Sequence, residues 1–382
     1  MKKELSLYIH IPFCNSRCNY CNFVSFVASE QEKLRYVECL KKEIMIRAKE
    51  YNKFFTIKTI FIGGGTPSCL INGAIKDILQ TIYKHFTVKN DAEITIELNP
   101  NTATKEKIEE FVISGVNRFS IGLQCISPLV LKNMGRTHTL DDFNNAVSLI
   151  REQGISNINA DMIVGYPGQS EKDTVETAKY LVSKNIPHVS AYILSVEQGT
   201  PLQFMIDNGT QKLPKEEKLL KTYQAVVNTL SEAGYIRYEV SNFAKPGFVC
   251  KHNLTYWTRN EYLGLGVSAH SYIDGVRFFN TENLQSYCQC IETKNKAPVS
   301  SVTKLTTAEK KEEAVMLSLR TNEGLSTKAY EEEFHENFLA KHKDQLASFI
   351  KLGLLTIDRE GNIKATAKGF LVLNKLILEL CS

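Results

Sequence analysis

Tyr8-Ile9-His10-Ile11-Pro12-Phe13-Cys14-Asn15-Ser16-Arg17-Cys18-Asn19-Tyr20-Cys21 decides how the rest of the chain is read. It starts as an apolar, β-branched run and ends in three cysteines spaced C-x3-C-x2-C. A loop that follows a first strand lies at the strand's C-terminal end, where α/β proteins build their sites. Three thiolates at this spacing can hold three corners of a cubane iron–sulfur cluster and leave the fourth iron open. A zinc site more often closes with four ligands, and no Cys or His pair here supplies a matching fourth. Cys39, Cys69, Cys125, Cys250, Cys288, Cys290 and Cys381 lack such spacing and read as core or surface thiols.

Beyond this loop, short β-rich runs alternate with longer helical patterns. Strands are predicted at 5–11, 59–62, 93–98, 118–123, 157–164 and 188–194. Ser29 with Glu32 and Ser170 with Asp173 have the spacing of capping boxes that open helices. Ser114-Gly115, Gln153-Gly154, Lys184-Asn185 and Ala233-Gly234 each precede a new apolar run and suit a left-handed helix C-cap. Such a repeated βα unit means a parallel sheet with right-handed crossovers, doubly wound or curled into a full or partial barrel. From about residue 300 the pattern changes to helices, a hairpin turning at Arg359-Glu360-Gly361-Asn362, and a last helix. This reads as a small α+β, winged-helix-like domain. Three units are expected: a core over 1–240, a linking segment over 241–300 and the C-terminal domain over 301–382.

Composition excludes several classes. The 382 residues are 43% hydrophobic and 23% charged, with a net charge of +4, as in ordinary globular proteins. Residues 300–382 carry 12 Lys and Arg against 12 Asp and Glu, so the C-terminal domain has no basic bias for phosphates and no nucleic-acid partner is expected. The opening segment lacks a secretory pattern, and the apolar run 370–380 is interrupted by Asn374 and Lys375. A cytoplasmic protein is the expectation.

Further candidates lie at other strand ends. Gly63-Gly64-Gly65-Thr66-Pro67 follows the second strand, and a glycine run lets backbone approach a ligand closely. Glu97 closes the third strand, where a carboxylate can meet ribose hydroxyls, and Gln124 and Asp161 are polar groups ending later strands.

The cysteine spacing, with Tyr20 directly before Cys21, resembles that of the radical S-adenosylmethionine (SAM) superfamily. The resemblance implies a partial (β/α)6 TIM-like barrel, a [4Fe–4S] cluster on Cys14, Cys18 and Cys21, and SAM chelated to its open iron. Tyr8, Tyr20, Gly64, Gly65, Thr66 and Glu97 would then contact SAM. It narrows to the HemN/HemW family, covering nearly the whole chain. Gln124, Arg136, Asp161 and Ser195 match positions that in the family's enzyme, oxygen-independent coproporphyrinogen III dehydrogenase, help hold a second SAM.

Two features depart from that enzyme. Its cysteine pattern continues to a fourth cysteine where this chain has Phe23, and its N-terminal extension has no counterpart before Tyr8. Both favour the haem-chaperone branch. His252-Asn253-Leu254-Thr255-Tyr256-Trp257 fits the H-N-x-x-Y-W signature associated there with haem, which makes His252 the expected iron ligand and His270 a weaker alternative. The expected function is haem binding and delivery to apo-haemoproteins such as membrane cytochromes. Peripheral contact with the inner face of a membrane and a homodimer complete the expectation. Porphyrinogen decarboxylation, or radical chemistry on an unrelated small molecule, stands as the alternative.

Overall fold

A computed structural model describes residues 2–381; Met1 of the opening segment and Ser382 of the C-terminal domain lie outside them. Six parallel strands come in chain order: β1 Lys3–Ile11, β2 Phe55–Gly64, β3 Val88–Leu98, β4 Arg118–Gln124, β5 Ile158–Val164 and β6 His188–Ile193. Each passes to the next through helical crossovers, which is the βα repeat read from sequence. The capping boxes at Ser29 and Ser170 are both formed. At the helix ends, Gly115, Gly154, Asn185 and Gly234 have φ of 103°, 77°, 51° and 79°. The next residue's N–H reaches back to close a Schellman turn each time, as from Val116 to the Phe111 carbonyl at 3.0 Å.

The sheet extends beyond these six strands. β7 Ile236–Arg237 and β8 Asn242–Ala244 join antiparallel beyond β6. β9 Tyr262–Leu265 pairs parallel with β1, and β10 His270–Ile273, β11 Val276–Asn280 and β12 Val299–Lys304 follow it antiparallel. The strand order is therefore β12-β11-β10-β9-β1-β2-β3-β4-β5-β6-β8-β7. Residues 241–300, read as a link, contribute five strands to the main sheet. Their brevity and non-local pairing hid them from a periodicity reading. The C-terminal domain follows the sequence closely. It holds a three-stranded sheet of β13 Leu325–Ser326, β14 Leu355–Ile357 and β15 Asn362–Ala365, with helices around it. Its own core gathers Leu319, Tyr330, Phe338, Leu346 and Ile363.

The two faces of β1–β6 differ in polarity. Leu5, Leu7, Ile9, Ile60, Ile62, Ile94, Ile96, Phe119, Ile121, Ile158, Ala160, Val189 and Ala191 form one buried apolar face that packs with the helices. Each leucine, isoleucine, valine or phenylalanine among them is worth about 1.5–3 kcal/mol on burial. The alternate positions are polar: Ser6, His10, Thr59, Glu93, Thr95, Arg118, Ser120, Asn159, His188 and Ser190 are all buried. A parallel sheet covered on both faces normally reads as apolar throughout. Here one face lines a polar interior, and that interior is the site.

Candidate functional site

The helix Lys251–Trp257 lies against the lower part of this polar face, on β2 and β3. Glu93 holds its N-terminus: the carboxylate accepts the backbone N–H of Lys251 at 3.0 Å and of His252 at 2.9 Å, a charged cap on the positive end of the helix. Above it opens a cavity of about 560 Å³ that runs from Asn253 up to the cysteine loop. Cys14, Cys18, Cys21, Tyr20, Gly64, Gly65, Thr66, Glu97, Gln124, Arg136, Asp161 and Ser195 all line it. Residues spread over 180 positions of sequence thus meet in one space, because consecutive parallel strands deliver their C-terminal ends to the same rim.

The cysteine loop is pinned on several sides. Its ends are tied by Cys14 N–H to the Phe26 carbonyl at 3.0 Å and Phe26 N–H to the Pro12 carbonyl at 2.7 Å. Asn19 bonds the turn after the helix Pro128–Asn133 through its N–H to the Met134 carbonyl at 3.0 Å, and its carbonyl accepts from Leu202 at 2.8 Å. Arg136 ties the loop to β4. Its Nη2 donates to the Gly122 carbonyl at 2.6 Å, and its Nη1 approaches Cys18 Sγ at 3.6 Å. Thr66 Oγ1 approaches Cys14 Sγ at 3.6 Å.

The glycine run seats this loop. A Cβ on Gly65 would fall 2.5 Å from the Phe13 carbonyl oxygen, and one on Gly64, at φ 111°, would fall 2.4 Å from the His10 ring. The N–H groups of Gly64, Gly65 and Thr66 are already bonded, to Glu97 Oε2 at 3.1 Å and to the carbonyls of Ile11 at 2.9 Å and Phe13 at 2.7 Å. The run therefore offers a ligand close backbone approach without those donors, which suits an amino group, itself a donor. Gln124 adopts φ 65°, a conformation non-glycine residues seldom take and one that collects at functional positions.

Of the three carboxyl groups that line the cavity, Asp161 and Glu97 lie near enough to influence each other. Asp161 accepts from Asn159 Nδ2 at 2.8 Å and Ser120 Oγ at 3.4 Å, and burial still raises its pKa. Burial, with Asp161 as a like charge, pushes Glu97 up to about 8. At neutral pH Glu97 is therefore mostly a neutral carboxylic acid that can donate as well as accept. Burial also raises the thiols of Cys14 and Cys21, so a cation is needed to make them thiolates.

Two expected site residues stand apart. Tyr8 does not line the cavity; its hydroxyl meets His10 Nδ1 at 2.9 Å and its ring stacks on Phe61, which does. His10 also bonds the Val24 carbonyl at 2.9 Å. His252 is 1% exposed, with Nδ1 bonded to Thr59 Oγ1 at 2.7 Å and Nε2 to the Tyr256 hydroxyl at 2.9 Å. Burial, with the Arg118 charge, lowers its pKa to about 3. The expectation of an iron ligand does not fit this placement, because both imidazole nitrogens are already engaged. Within the H-N-x-x-Y-W segment it is Asn253 that faces the cavity. His270 is exposed and stacks on Phe279, away from the cavity.

Several cavity residues escaped the sequence reading: Arg118, Ser120, Asn159 and Ser190. Their signal was period-two polar alternation within β4, β5 and β6, as in Arg118-Phe119-Ser120-Ile121. The remaining seven cysteines stay out of the cavity, and none of the ten is in a disulfide.

Comparison with known proteins follows the same lines. A model described as the Radical SAM superfamily matches residues 8–181, and one described as the HemN C-terminal domain matches residues 305–372. The chain is 34% identical over 370 residues to the heme chaperone HemW of Lactococcus lactis, covering 97% of this chain and 95% of that protein. It is 34% identical over 372 residues to the heme chaperone HemW of Bacillus subtilis, covering 97% of both. The chain belongs to the HemW family of radical SAM proteins. Among solved structures, coproporphyrinogen III oxidase (HemN) from Escherichia coli, a radical SAM enzyme, matches with a TM-score of 0.86 at 25% identity. That match covers 100% of this chain and 91% of HemN, so the HemW-family chain shares the HemN-like barrel and C-terminal domain.

Radical SAM membership implies SAM and a [4Fe–4S] cluster, and the donor set fits both. Three thiols lie on one cavity wall, with Arg136 and Thr66 turned toward sulfur. Among the described residues no three His, Cys, Asp or Glu converge on a point that would hold a single metal ion. A cubane asks something different, a separate iron for each cysteine.

Proposed function

We propose that this chain is a haem chaperone: it holds a SAM-ligated [4Fe–4S] cluster on Cys14, Cys18 and Cys21, binds haem, and delivers it to apo-haemoproteins such as respiratory cytochromes. The observation that carries this reading is the match along 97% of the chain to proteins named heme chaperone HemW. Phe23 supports it. Its side chain, 59% exposed, lines the cavity where the dehydrogenase pattern has a further cysteine.

When bound, the cluster supplies an open iron for the amino and carboxylate groups of SAM and a source of single electrons. The chain's own residues orient the ligands. Gly64 and Gly65 let the backbone close on the SAM amino group, and Glu97, mostly protonated at neutral pH, meets ribose hydroxyls as donor and acceptor. Tyr20 covers the adenine, held edge-on by Tyr166 at 6.2 Å. Gln124, Arg136, Asp161 and Ser195 line the same cavity and would help to hold a second ligand beside the first. Among the described residues no helix is long and apolar enough to cross a membrane, so contact with a membrane cytochrome would be peripheral.

The test is anaerobic reconstitution of the cluster followed by two measurements on one preparation. Haem titration should give a saturable Soret band, and coproporphyrinogen III with SAM and reductant should yield no protoporphyrinogen. Product formed at enzymatic rates would replace this reading with the dehydrogenase one.

A further inference from the structure

The floor of the cavity holds a cation that nothing in the protein neutralises directly. Arg118 opens β4, is 1% exposed, and lines the cavity. Its Nε has no hydrogen-bond partner. Thr95, paired with Arg118 in register across β3 and β4, also leaves its hydroxyl without a partner. Of this pair it is Arg118 that lines the cavity, so its Nε is a buried donor there without an acceptor. A buried guanidinium without partners is costly, and such a cost persists where another molecule relieves it.

The nearby carboxylates are committed elsewhere. Glu93 spends both oxygens on the N–H groups that open the helix Lys251–Trp257. Asp161 accepts from Asn159 and Ser120. Among the described residues neither stands within ion-pair reach of Arg118, although both lie close enough for it to feel their charge. Asn253 faces the same cavity from the helix below and adds a neutral amide.

We propose that Arg118 receives a carboxylate of a small molecule bound in the barrel interior, with Asn253 lining the same space. The planar guanidinium presents two parallel N–H donors that match a carboxylate, and in a dry cavity such a pair outweighs a solvated one. Two sources share this chemistry: a propionate of haem, in which case the inference rests on the chaperone reading, and the methionyl carboxylate of a second SAM, one not chelated to the cluster.

The test uses the cluster-reconstituted chain, the variants Arg118→Gln and Arg118→Lys, and three probes: haemin, haemin dimethyl ester and SAM. Arg118→Gln should melt at or above the wild-type temperature before any probe is added, because it removes an unpaired buried charge. It should bind haemin at least about thirty-fold more weakly, the change expected on truncating one partner of a buried charge pair. Its binding of the dimethyl ester should match wild type, and Arg118→Lys should recover part of the haemin affinity. A loss that falls on SAM instead assigns the carboxylate to SAM and leaves the proposal standing. If wild-type protein binds no haemin, the chaperone reading fails, while the SAM arm still decides Arg118. The proposal is overturned if Arg118→Gln binds all three probes as wild type does. It is overturned equally if the variant melts lower and loses ester and free acid by the same factor, the mark of a structural residue.

Discussion

Glu97→Gln isolates the titration of one cavity carboxyl and yields a worked magnitude. Glu97 keeps its proton in the folded chain up to about pH 8, because burial and then Asp161 disfavour its charge. In the unfolded chain a glutamate loses the proton near pH 4.3. Between those values the folded state holds one more proton than the unfolded state, so stability falls as pH rises. One proton is worth about 1.4 kcal/mol per pH unit, and with the slope tapering as pH nears 8 the loss over pH 5 to 8 comes to about 3.6 kcal/mol. Part of the carboxyl faces cavity water, so about 2 kcal/mol is the expected size. Glutamine has no proton to lose and still accepts the Gly64 N–H. The assay is urea unfolding of the cluster-free chain from pH 5 to 8, followed by circular dichroism with m held constant. Other titrating groups cancel in the comparison, and the variant's curve should be flatter by that amount. Parallel curves for variant and wild type would mean that Glu97 ionises as in water, and the account of a desolvated cavity would be refuted.

Two further substitutions test the architecture of the site. His252→Ala should cost about 2–4 kcal/mol, since it strips Thr59 and Tyr256 of a buried partner; the Soret band of bound haem should keep its position and intensity, and loss of the band in a folded variant would restore His252 as a ligand. Gly65→Ala should lower the iron bound per chain after reconstitution, because the added methyl meets the Phe13 carbonyl and pushes the cysteine loop off its seat; full iron incorporation would contradict that seating.

Much of this architecture was legible in the residues. The βα repeat showed in the helix caps and in the Gly or Asn stops, because those are local chemistry and each occupies a few adjacent positions. Cys14, Cys18 and Cys21 declared themselves by spacing, and the hairpin at Gly361 by its turn. Arg118, Ser120 and Asn159 were hidden by a different cause: their polarity has meaning only once β4 and β5 are known to curl around an interior. His252 illustrates the same limit from the other side. Its motif marks it, but what occupies its nitrogens is Thr59 on a distant strand and Tyr256 one helical turn on. Glu93, which fixes the helix carrying it, lies more than 150 positions away. Strands as short as Ile236–Arg237 and Asn242–Ala244 owe their existence to neighbours, and no periodicity can build up over two or three residues.

Haem transfer tests the central claim most directly. The cluster-reconstituted chain is loaded with one haem and mixed anaerobically, with SAM, with an apo-cytochrome b domain whose haem bands differ from those of the donor. The account predicts that the recipient's bands grow as the donor's Soret band declines, faster than free haem is lost to a scavenging apo-myoglobin. A donor that keeps its haem, or releases it to scavenger and recipient alike, would contradict the chaperone function.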